Sequence, residues 1–231
     1  FGTIPVRAFG TMASVMGCTD TLALNYNPLA TIDDASCTYQ MTYVPDDNFE
    51  QALINLGYDD FLDDYVFTDS INTIDSLDIG SLSISDLTGI EDFLALTDLY
   101  CNDNQLTSLD VSPNTALTYL DCGSNQLTSL DVSGATALTN LSCYNNNLTL
   151  LDVSSNLALT YLDCNSNQLT LIDVSSNLAL TQLYCNSNQL TSLNVSSNLA
   201  LTTLNCSNNP QLFCIDVDDA VYSSANWTVG N

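Results

Sequence analysis

The sequence predicts a β-rich solenoid with two short strands in each 21-residue coil, a helical cap at the N-terminal end and a small disulfide module before that cap. Six consecutive 21-residue units occupy residues 95–220, and an unbroken repeat of this length indicates stacked coils. Each unit has the form LTxLxCxxN followed by LTxLxVSxN. Apolar residues alternate with polar ones in both halves, which predicts two strands that direct apolar side chains into one interior.

The acidic composition excludes several classes of function. The 231 residues contain no lysine and no histidine, Arg7 is the single base, and the formal net charge is −26. Such a chain repels phosphate backbones, so we expect no nucleic-acid partner. No apolar run approaches the ~20 residues of a membrane-spanning helix, so we expect no transmembrane segment. A serine or cysteine nucleophile would lack its usual base, which predicts a non-enzymatic protein.

The N-terminal part divides into a tail, residues 1–16, and a small module, residues 17–40. Cys18 and Cys37 bracket a short aspartate-rich loop that is too small to hold itself together by burial, so we predict a disulfide and an oxidising compartment. Hard oxygen ligands on this loop suit Ca²⁺, and the alternative is that the same residues cap turns. The candidate calcium ligands are Asp20, Asn25, Asn27, Asp33 and Asp34.

The solenoid needs a cap at each end, because a coil cannot bury its apolar face alone. Residues 44–72 are predicted to form the helical N-terminal cap, with Phe49, Leu53 and Leu56 on one helical face. The solenoid follows at residues 73–220 and includes a divergent first repeat. Residues 221–231 are predicted to be a C-terminal cap segment whose partner strand lies outside this chain. We expect Cys214 to pair either beyond residue 231 or with another molecule.

One cysteine recurs in each repeat, always at a 21-residue interval. Zinc sites use much closer cysteine spacings. Adjacent coils are ~4.8 Å apart with parallel Cβ vectors, whereas bridged Cβ atoms prefer ~3.8 Å, which disfavours disulfides. We therefore interpret these residues as buried thiols that pack as small hydrophobes. They are Cys101, Cys122, Cys143, Cys164, Cys185 and Cys206.

The pattern LxxLxCxxNxLxxLDV resembles the leucine-rich repeat family, in its bacterial 21-residue variant with cysteine. The resemblance implies that the first strand of each coil lines a concave face, and that Asn104 and its equivalents bond backbone groups at the corner. Residues 17–39, GCTDTLALNYNPLATIDDASCTY, resemble a short element of secreted Bacteroidetes proteins. Three triplets resemble the Bacteroidetes O-glycosylation signal D-[ST]-apolar, which makes Thr21, Ser70 and Ser76 candidate glycosylation sites. These resemblances imply an extracellular or outer-surface location.

The variable outward residues of the first strand are the candidate binding site. Tyrosines beside carboxylates and amides suit a protein or carbohydrate partner, and ordinary cross-strand packing is the alternative explanation. The candidates are Asp98, Tyr100, Tyr119, Asp121, Tyr161, Asp163, Gln182 and Tyr184.

These features together predict an extracellular, non-enzymatic binding or adhesion module that uses the concave face. The alternative is a structural subunit of a cell-surface filament or assembly, in which residues 1–16 add as a strand to a neighbouring copy. A third class, an accessory that captures cargo for an outer-membrane uptake system, would bind glycans. Apart from Ca²⁺, we expect no cofactor.

Overall fold

The computed structural model describes residues 14–218, which divide into two units at Met41 and Thr42. The first unit contains strands β1 (Met16–Gly17) and β2 (Ile32–Asp33), which pair in parallel. Most of the predicted tail, residues 1–13, and the predicted cap segment 221–231 lie outside the described residues. Assembly through residues 1–16 therefore stays a prediction.

A disulfide between Cys18 and Cys37 closes the first unit, as the sequence predicts. Cys18 is buried, and Asn25 ties the two ends of the loop together, since its side chain accepts the backbone N–H of Thr38 and donates to the carbonyl of Ser36. The small unit thus combines one covalent crosslink with side-chain bonds to its backbone. Burial alone would not hold so short a loop.

The second unit begins with the N-terminal cap. Strand β3 (Met41–Tyr43) pairs with β4 (Tyr65–Phe67), helix α1 (Asp47–Leu56) lies between them, and the short helix α2 (Thr68–Ile71) follows. Helix α1 buries Phe49 and Leu53. Leu56, predicted on the same apolar face, is 47% exposed because it ends the last helical turn before Gly57.

Asp46 joins the cap to the first coil. Its Oδ1 accepts the backbone N–H groups of Asn48 and Phe49 as an N-cap, and its Oδ2 accepts both the N–H and the hydroxyl of Ser85. Burial raises the pKa of Asp46, but these hydrogen bonds outweigh burial and hold the pKa below its ordinary value. A single carboxylate therefore fixes where the helix begins and how it meets the solenoid.

The solenoid is organised by one seven-stranded parallel sheet that receives one strand from each coil. The central leucine of each strand pairs with its equivalent in the next coil, for example Leu120 with Leu141 and Leu141 with Leu162. A 3₁₀ helix, Ile90–Asp92, lies in the first coil. The strands of the sheet are β5 (Ser76–Asp78), β6 (Asp98–Tyr100), β8 (Tyr119–Asp121), β10 (Asn140–Ser142), β11 (Tyr161–Asp163), β12 (Gln182–Tyr184) and β14 (Thr203–Asn205).

The second strand of each coil is less regular than the first. Strand β7 (Ser108–Asp110) pairs with β9 (Ser129–Asp131), and β13 (Leu193–Asn194) pairs with β15 (Ile215–Asp216). Residues 150–152 and 171–173, which occupy the equivalent positions, form no strand. Across the described chain the solenoid therefore has one continuous sheet and one interrupted row of strands.

The repeat cysteines lie in the core beside the sheet leucines. All six are at most 2% exposed, and Cys101, Cys122, Cys143, Cys164 and Cys185 form no disulfide. Burial in apolar surroundings raises the pKa of Cys164 to about 12 and that of Cys206 to about 11. These thiols consequently stay protonated and act as packing groups.

A buried asparagine closes the corner after each strand of the sheet from β6 to β14, and Asn104 of the second coil also bonds the backbone of the corner after β5. The Nδ2 group of Asn146 donates to the carbonyls of Cys122 and Cys143, both at 3.1 Å, and its Oδ1 accepts the N–H of Leu127 at 2.9 Å. The amide thereby joins its own coil to the preceding one. The equivalent residues are Asn104, Asn125, Asn146, Asn167, Asn188 and Asn209.

The opposite corner uses a second set of buried asparagines. The Nδ2 of Asn156, for example, donates to the carbonyls of Val132 and Ala135 at 2.9 Å. The Oδ1 atoms of this set are buried without a hydrogen-bond partner in the described part of the chain. At this corner the Nδ2 groups of the asparagines are therefore hydrogen-bonded and the Oδ1 atoms are not. Burying an unbonded oxygen lowers the free energy of unfolding, because the oxygen loses its hydrogen bonds to water. The set comprises Asn114, Asn156, Asn177 and Asn198.

Replacing Asn146 by alanine is expected to lower the free energy of unfolding by about 3 kcal/mol, because it leaves several buried peptide groups without partners. Asn147→Ala is the matched control, since Asn147 is exposed and its change should stay within about 0.5 kcal/mol. Urea unfolding followed by circular dichroism measures both. Equal losses in the two variants would contradict the role of the corner amide.

Alkylation should separate the exposed cysteine from the buried ones. Cys214, which the sequence predicts to pair beyond residue 231 or with another molecule, is exposed and forms no disulfide within the described residues, so this chain treated with iodoacetamide in its native state is expected to gain one adduct there. The six repeat thiols should react only after unfolding in guanidinium, because burial suppresses their ionisation. Intact mass spectrometry and peptide mapping give the count and the positions, and modification of Cys143 in the native protein would contradict its place in the core.

Candidate binding face

The predicted binding residues lie together on the solvent side of the seven-stranded sheet. Alternation along each strand places the central leucine in the core and the two flanking residues outward. All eight predicted residues are half-buried on this side. With the additional residue Tyr144, they form what we call the tyrosine face: Asp98, Tyr100, Tyr119, Asp121, Tyr144, Tyr161, Asp163, Gln182 and Tyr184.

The tyrosines of this face are paired. The ring centroids of Tyr100 and Tyr119 are 4.9 Å apart at an interplanar angle of 35°, and those of Tyr161 and Tyr184 are 5.7 Å apart at 46°. The rings therefore pack across neighbouring strands, as the alternative explanation requires. They also remain partly open to solvent, so the same packing holds them in place for contact with a partner.

Tyr144 is a face residue that the sequence reasoning missed. It lies two residues after the end of β10, and its ring lies over Gly123 of the preceding coil. A Cβ atom built on Gly123 would come within 2.3 Å of that ring. The position of Gly123 is occupied by Asn102 in the preceding coil, by Tyr144 itself in the following coil and by Asn165 in the coil after that, and the glycine beside a tyrosine is the signal that identifies the aromatic contact.

Asp121 lies among these rings as a half-buried carboxylate. Its Oδ1 accepts the backbone N–H of Gly123 at 3.0 Å. Burial raises its pKa, the Gly123 amide partly offsets the rise, and the negative charges of Asp103 and Asp163 add to it. Residues 14–218 contain no basic side chain, so none of the described residues compensates the negative charge of Asp121.

Asp163 differs from Asp121 in its hydrogen bonds. Burial raises its pKa as well, but its Oδ1 accepts the backbone and side-chain N–H groups of Asn165, and its Oδ2 accepts the hydroxyl of Tyr161 at 3.5 Å. Burial and the Asp163 charge in turn raise the pKa of Tyr161 to about 12. The two carboxylates of the face thus differ: Asp163 accepts hydrogen bonds through both oxygens, and Asp121 accepts through one.

The tyrosines beside Asp121 are kept protonated. Burial raises the pKa of Tyr119, and the charge of Asp121 and the neighbouring Tyr100 and Tyr144 raise it further. Tyr144 shows the same direction for the same leading causes, burial and Asp121. The rings therefore present neutral aromatic faces and phenolic hydroxyls beside a negative charge.

The predicted calcium ligands are engaged in turns. Asp20 accepts the N–H of Leu22 and the hydroxyl of Tyr39 at 2.9 and 2.7 Å, while Asn27, Asp33 and Asp34 each accept the N–H two residues further on. Turn capping accounts for these contacts. No group of three histidine, cysteine or acidic side chains suited to a metal ion occurs within residues 14–218. Calcium binding here stays a prediction.

The predicted glycosylation sites differ in accessibility. Thr21 and Ser76 are exposed, in the small unit and on β5 respectively, whereas Ser70 lies half-buried in α2. O-glycosylation stays a prediction at all three. Within the described residues, no helix has the length and apolar character needed to cross a membrane.

Comparisons with known proteins identify the repeats. Residues 94–134 match a family model described as leucine-rich repeats in two copies. Internalin J of Listeria monocytogenes serotype 4b (strain F2365) is 47% identical over 73 residues, which cover 32% of this chain. The chain spans only 8% of the length of that curated relative.

Solved structures show the same fold. A leucine-rich repeat protein of Leptospira interrogans aligns with a TM-score of 0.57 and 24% identity, over 64% of this chain and 44% of that one. Internalin C2 of Listeria monocytogenes aligns with a TM-score of 0.54 and 19% identity, over 85% of this chain and 99% of that one. The chain therefore contains leucine-rich repeats folded as a β-solenoid and is similar in sequence to a Listeria internalin.

Asp121→Asn is expected to increase the free energy of unfolding at pH 7. The raised pKa means that ionising Asp121 costs more in the folded than in the unfolded chain, so this cost is fully present above the folded pKa and vanishes below the ordinary value of 3.8. Urea unfolding of both proteins at pH 7 and pH 3 measures the difference. A gain that persists unchanged at pH 3 would contradict this electrostatic origin.

Proposed function

We propose that this chain is a non-enzymatic protein-binding module that acts outside the cell or on its outer surface, with the tyrosine face as its contact surface. The observation that carries the proposal is the grouping of five half-buried tyrosines on one side of a regular sheet, four on its strands and one just after β10: Tyr100, Tyr119, Tyr161, Tyr184 and Tyr144. Solenoid proteins use such extended surfaces for binding. Tyrosine is among the residues that contribute most to protein interfaces.

The construction of the face supports this role. Paired rings such as Tyr100 and Tyr119 restrict each other, and the corner asparagines hold the strands beneath them in register. A face that is already ordered loses little conformational entropy when a partner binds. Its contact residues vary between coils while the leucines beneath them do not, which suits recognition of a specific partner.

The location is supported by the first unit. The Cys18–Cys37 disulfide is typical of an oxidising environment, as found outside the cell or in the periplasm. The resemblance of residues 17–39 to a module of secreted Bacteroidetes proteins agrees with this location and belongs to the same proposal. Adhesion follows if the partner is itself fixed to a surface.

The double variant Tyr119→Ala and Tyr161→Ala tests the proposal. Labelled protein is incubated with intact cells, with cells whose surface has been treated with protease, and with a glycan array. The wild-type protein is expected to attach to intact cells and not to cells whose surface proteins have been removed by protease. The double variant should attach at least tenfold less, because two interface tyrosines contribute about 2 kcal/mol or more.

The matched control removes apolar area from a different part of the coil. Leu150 and Leu171 are 72% and 55% exposed at the second-strand position, so Leu150→Ala with Leu171→Ala should leave attachment unchanged. Attachment that survives protease and coincides with a positive glycan array would show a carbohydrate partner instead. Equal attachment by both double variants would show that the tyrosine face is not the contact surface.

A further inference from the structure

We propose that the protein partner presents a basic segment, and that an arginine side chain of this segment binds at the cluster formed by Tyr100, Tyr119, Tyr144 and Asp121. This inference rests on the proposed protein-binding function and specifies the chemistry of the partner. We call these four residues the cation seat.

Charge is the first argument. Residues 14–218 contain no lysine, arginine or histidine, so no side chain of the described structure can neutralise a carboxylate on the face. Asp98, Asp121 and Asp163 lie along the tyrosine face, and Asp103, in the corner after β6 of the preceding coil, acts electrostatically on Asp121. A partner with positive charge is therefore attracted to this surface and oriented on it.

Hydrogen bonding favours Asp121 over Asp163 as the acceptor, and of the two carboxylates with one bonded oxygen, Asp98 and Asp121, burial raises the pKa of Asp121, which lies beside Tyr119 and Tyr144. Each oxygen of Asp163 already accepts a hydrogen bond from a neighbouring side chain. Asp121 accepts one bond, from Gly123 to its Oδ1, and within the described residues its Oδ2 receives none. This oxygen of a half-buried side chain is the acceptor that a donor from outside would bind.

The aromatic rings define the kind of cation. Tyr100 and Tyr119 pack at 4.9 Å, and Tyr144 folds back over Gly123 toward the same place. An aromatic surface attracts a cation through its π-electrons. Arginine suits this arrangement better than lysine, because a planar guanidinium stacks on a ring while its edge donates to a carboxylate.

Because a cation binds the ionised form of Asp121, its binding is expected to depend on pH. Burial raises the pKa of this carboxyl, and a bound guanidinium would favour the charged form and bring the pKa down again. Binding is therefore expected to weaken as the solution is acidified through the raised pKa. Among the groups that face Asp121, Asp103 and Asp163 are also carboxylates, and Tyr119 and Tyr144 stay neutral throughout this range.

A set of matched peptides tests the side-chain chemistry. A fluorescein-labelled peptide of alternating glycine and arginine is compared with its lysine version and with a citrulline version, which keeps the shape of arginine without its charge. Fluorescence anisotropy at ~0.15 M NaCl limits the contribution of distant charges. The arginine peptide is expected to bind about threefold or more tighter than the lysine peptide, and the citrulline peptide about tenfold or more weaker.

Single variants then locate the site. Asp121→Asn and Tyr144→Ala should each weaken binding of the arginine peptide, by about tenfold and about threefold respectively. Asp131→Asn is the charge-matched control, since Asp131 is exposed in β9 of the same coil and its loss should change binding less than about twofold. Tyr144→Phe keeps the ring and should bind like the wild type.

Two results would overturn the cation seat. Equal weakening by Asp121→Asn and Asp131→Asn would show attraction to the overall negative charge without a defined site, and equal binding of the citrulline peptide would show that charge is irrelevant. If either result occurs while Tyr119→Ala with Tyr161→Ala still abolishes attachment to cells, the protein-binding function stands and only the basic partner is rejected. Thermal melts of each variant confirm that it is folded before its binding is compared.

Discussion

The chain turns sharply after every strand of the seven-stranded sheet, and each turn buries peptide groups that need hydrogen-bond partners. A corner asparagine such as Asn146 provides them, because one amide supplies both donors and an acceptor to two consecutive coils. The preceding residue, Asn145, adopts a left-handed conformation with a φ of 52°, which asparagine tolerates. The strand register follows from this constraint, and with it the positions of the outward side chains.

The same rigidity lets the protein hold groups that would not persist on a mobile surface. Asp121 and Asp163 are half-buried carboxylates with no basic side chain beside them in residues 14–218, and both have a raised pKa because burial penalises the charged form. Because the corner asparagines hold the strands in place, the sheet stays folded despite the free-energy cost of ionising these two carboxylates. Half-buried charges of this kind lower the stability of the fold and are typical of surfaces that bind a partner.

Periodicity in the sequence predicted the fold and most of the face, because alternation about Leu120 places Tyr119 and Asp121 outward in any strand. It missed Tyr144, since this residue lies beyond the strand and its position depends on Gly123 in the previous coil. The same consensus also predicted a second strand at residues 150–152, where none forms. A strand forms only where the backbones of two neighbouring coils are placed to hydrogen-bond with each other. The consensus of a single repeat does not describe that relation between coils. The aspartates of the small unit are equally typical of turns and of calcium sites. Only the atoms that each carboxylate contacts in the structure distinguish the two.

The parallel register, in which Tyr119 pairs with Asn140 and Asn140 with Tyr161, has an evolutionary consequence. Duplication or deletion of one 21-residue unit preserves the pairing pattern and the corner amides, because each coil contacts only its neighbours. Such an event between the two tyrosine pairs would change their separation by one strand spacing, ~4.8 Å, without disturbing either pair. The distance between two contact points on a partner can therefore be altered by recombination in whole steps, while point mutations adjust the chemistry at each point.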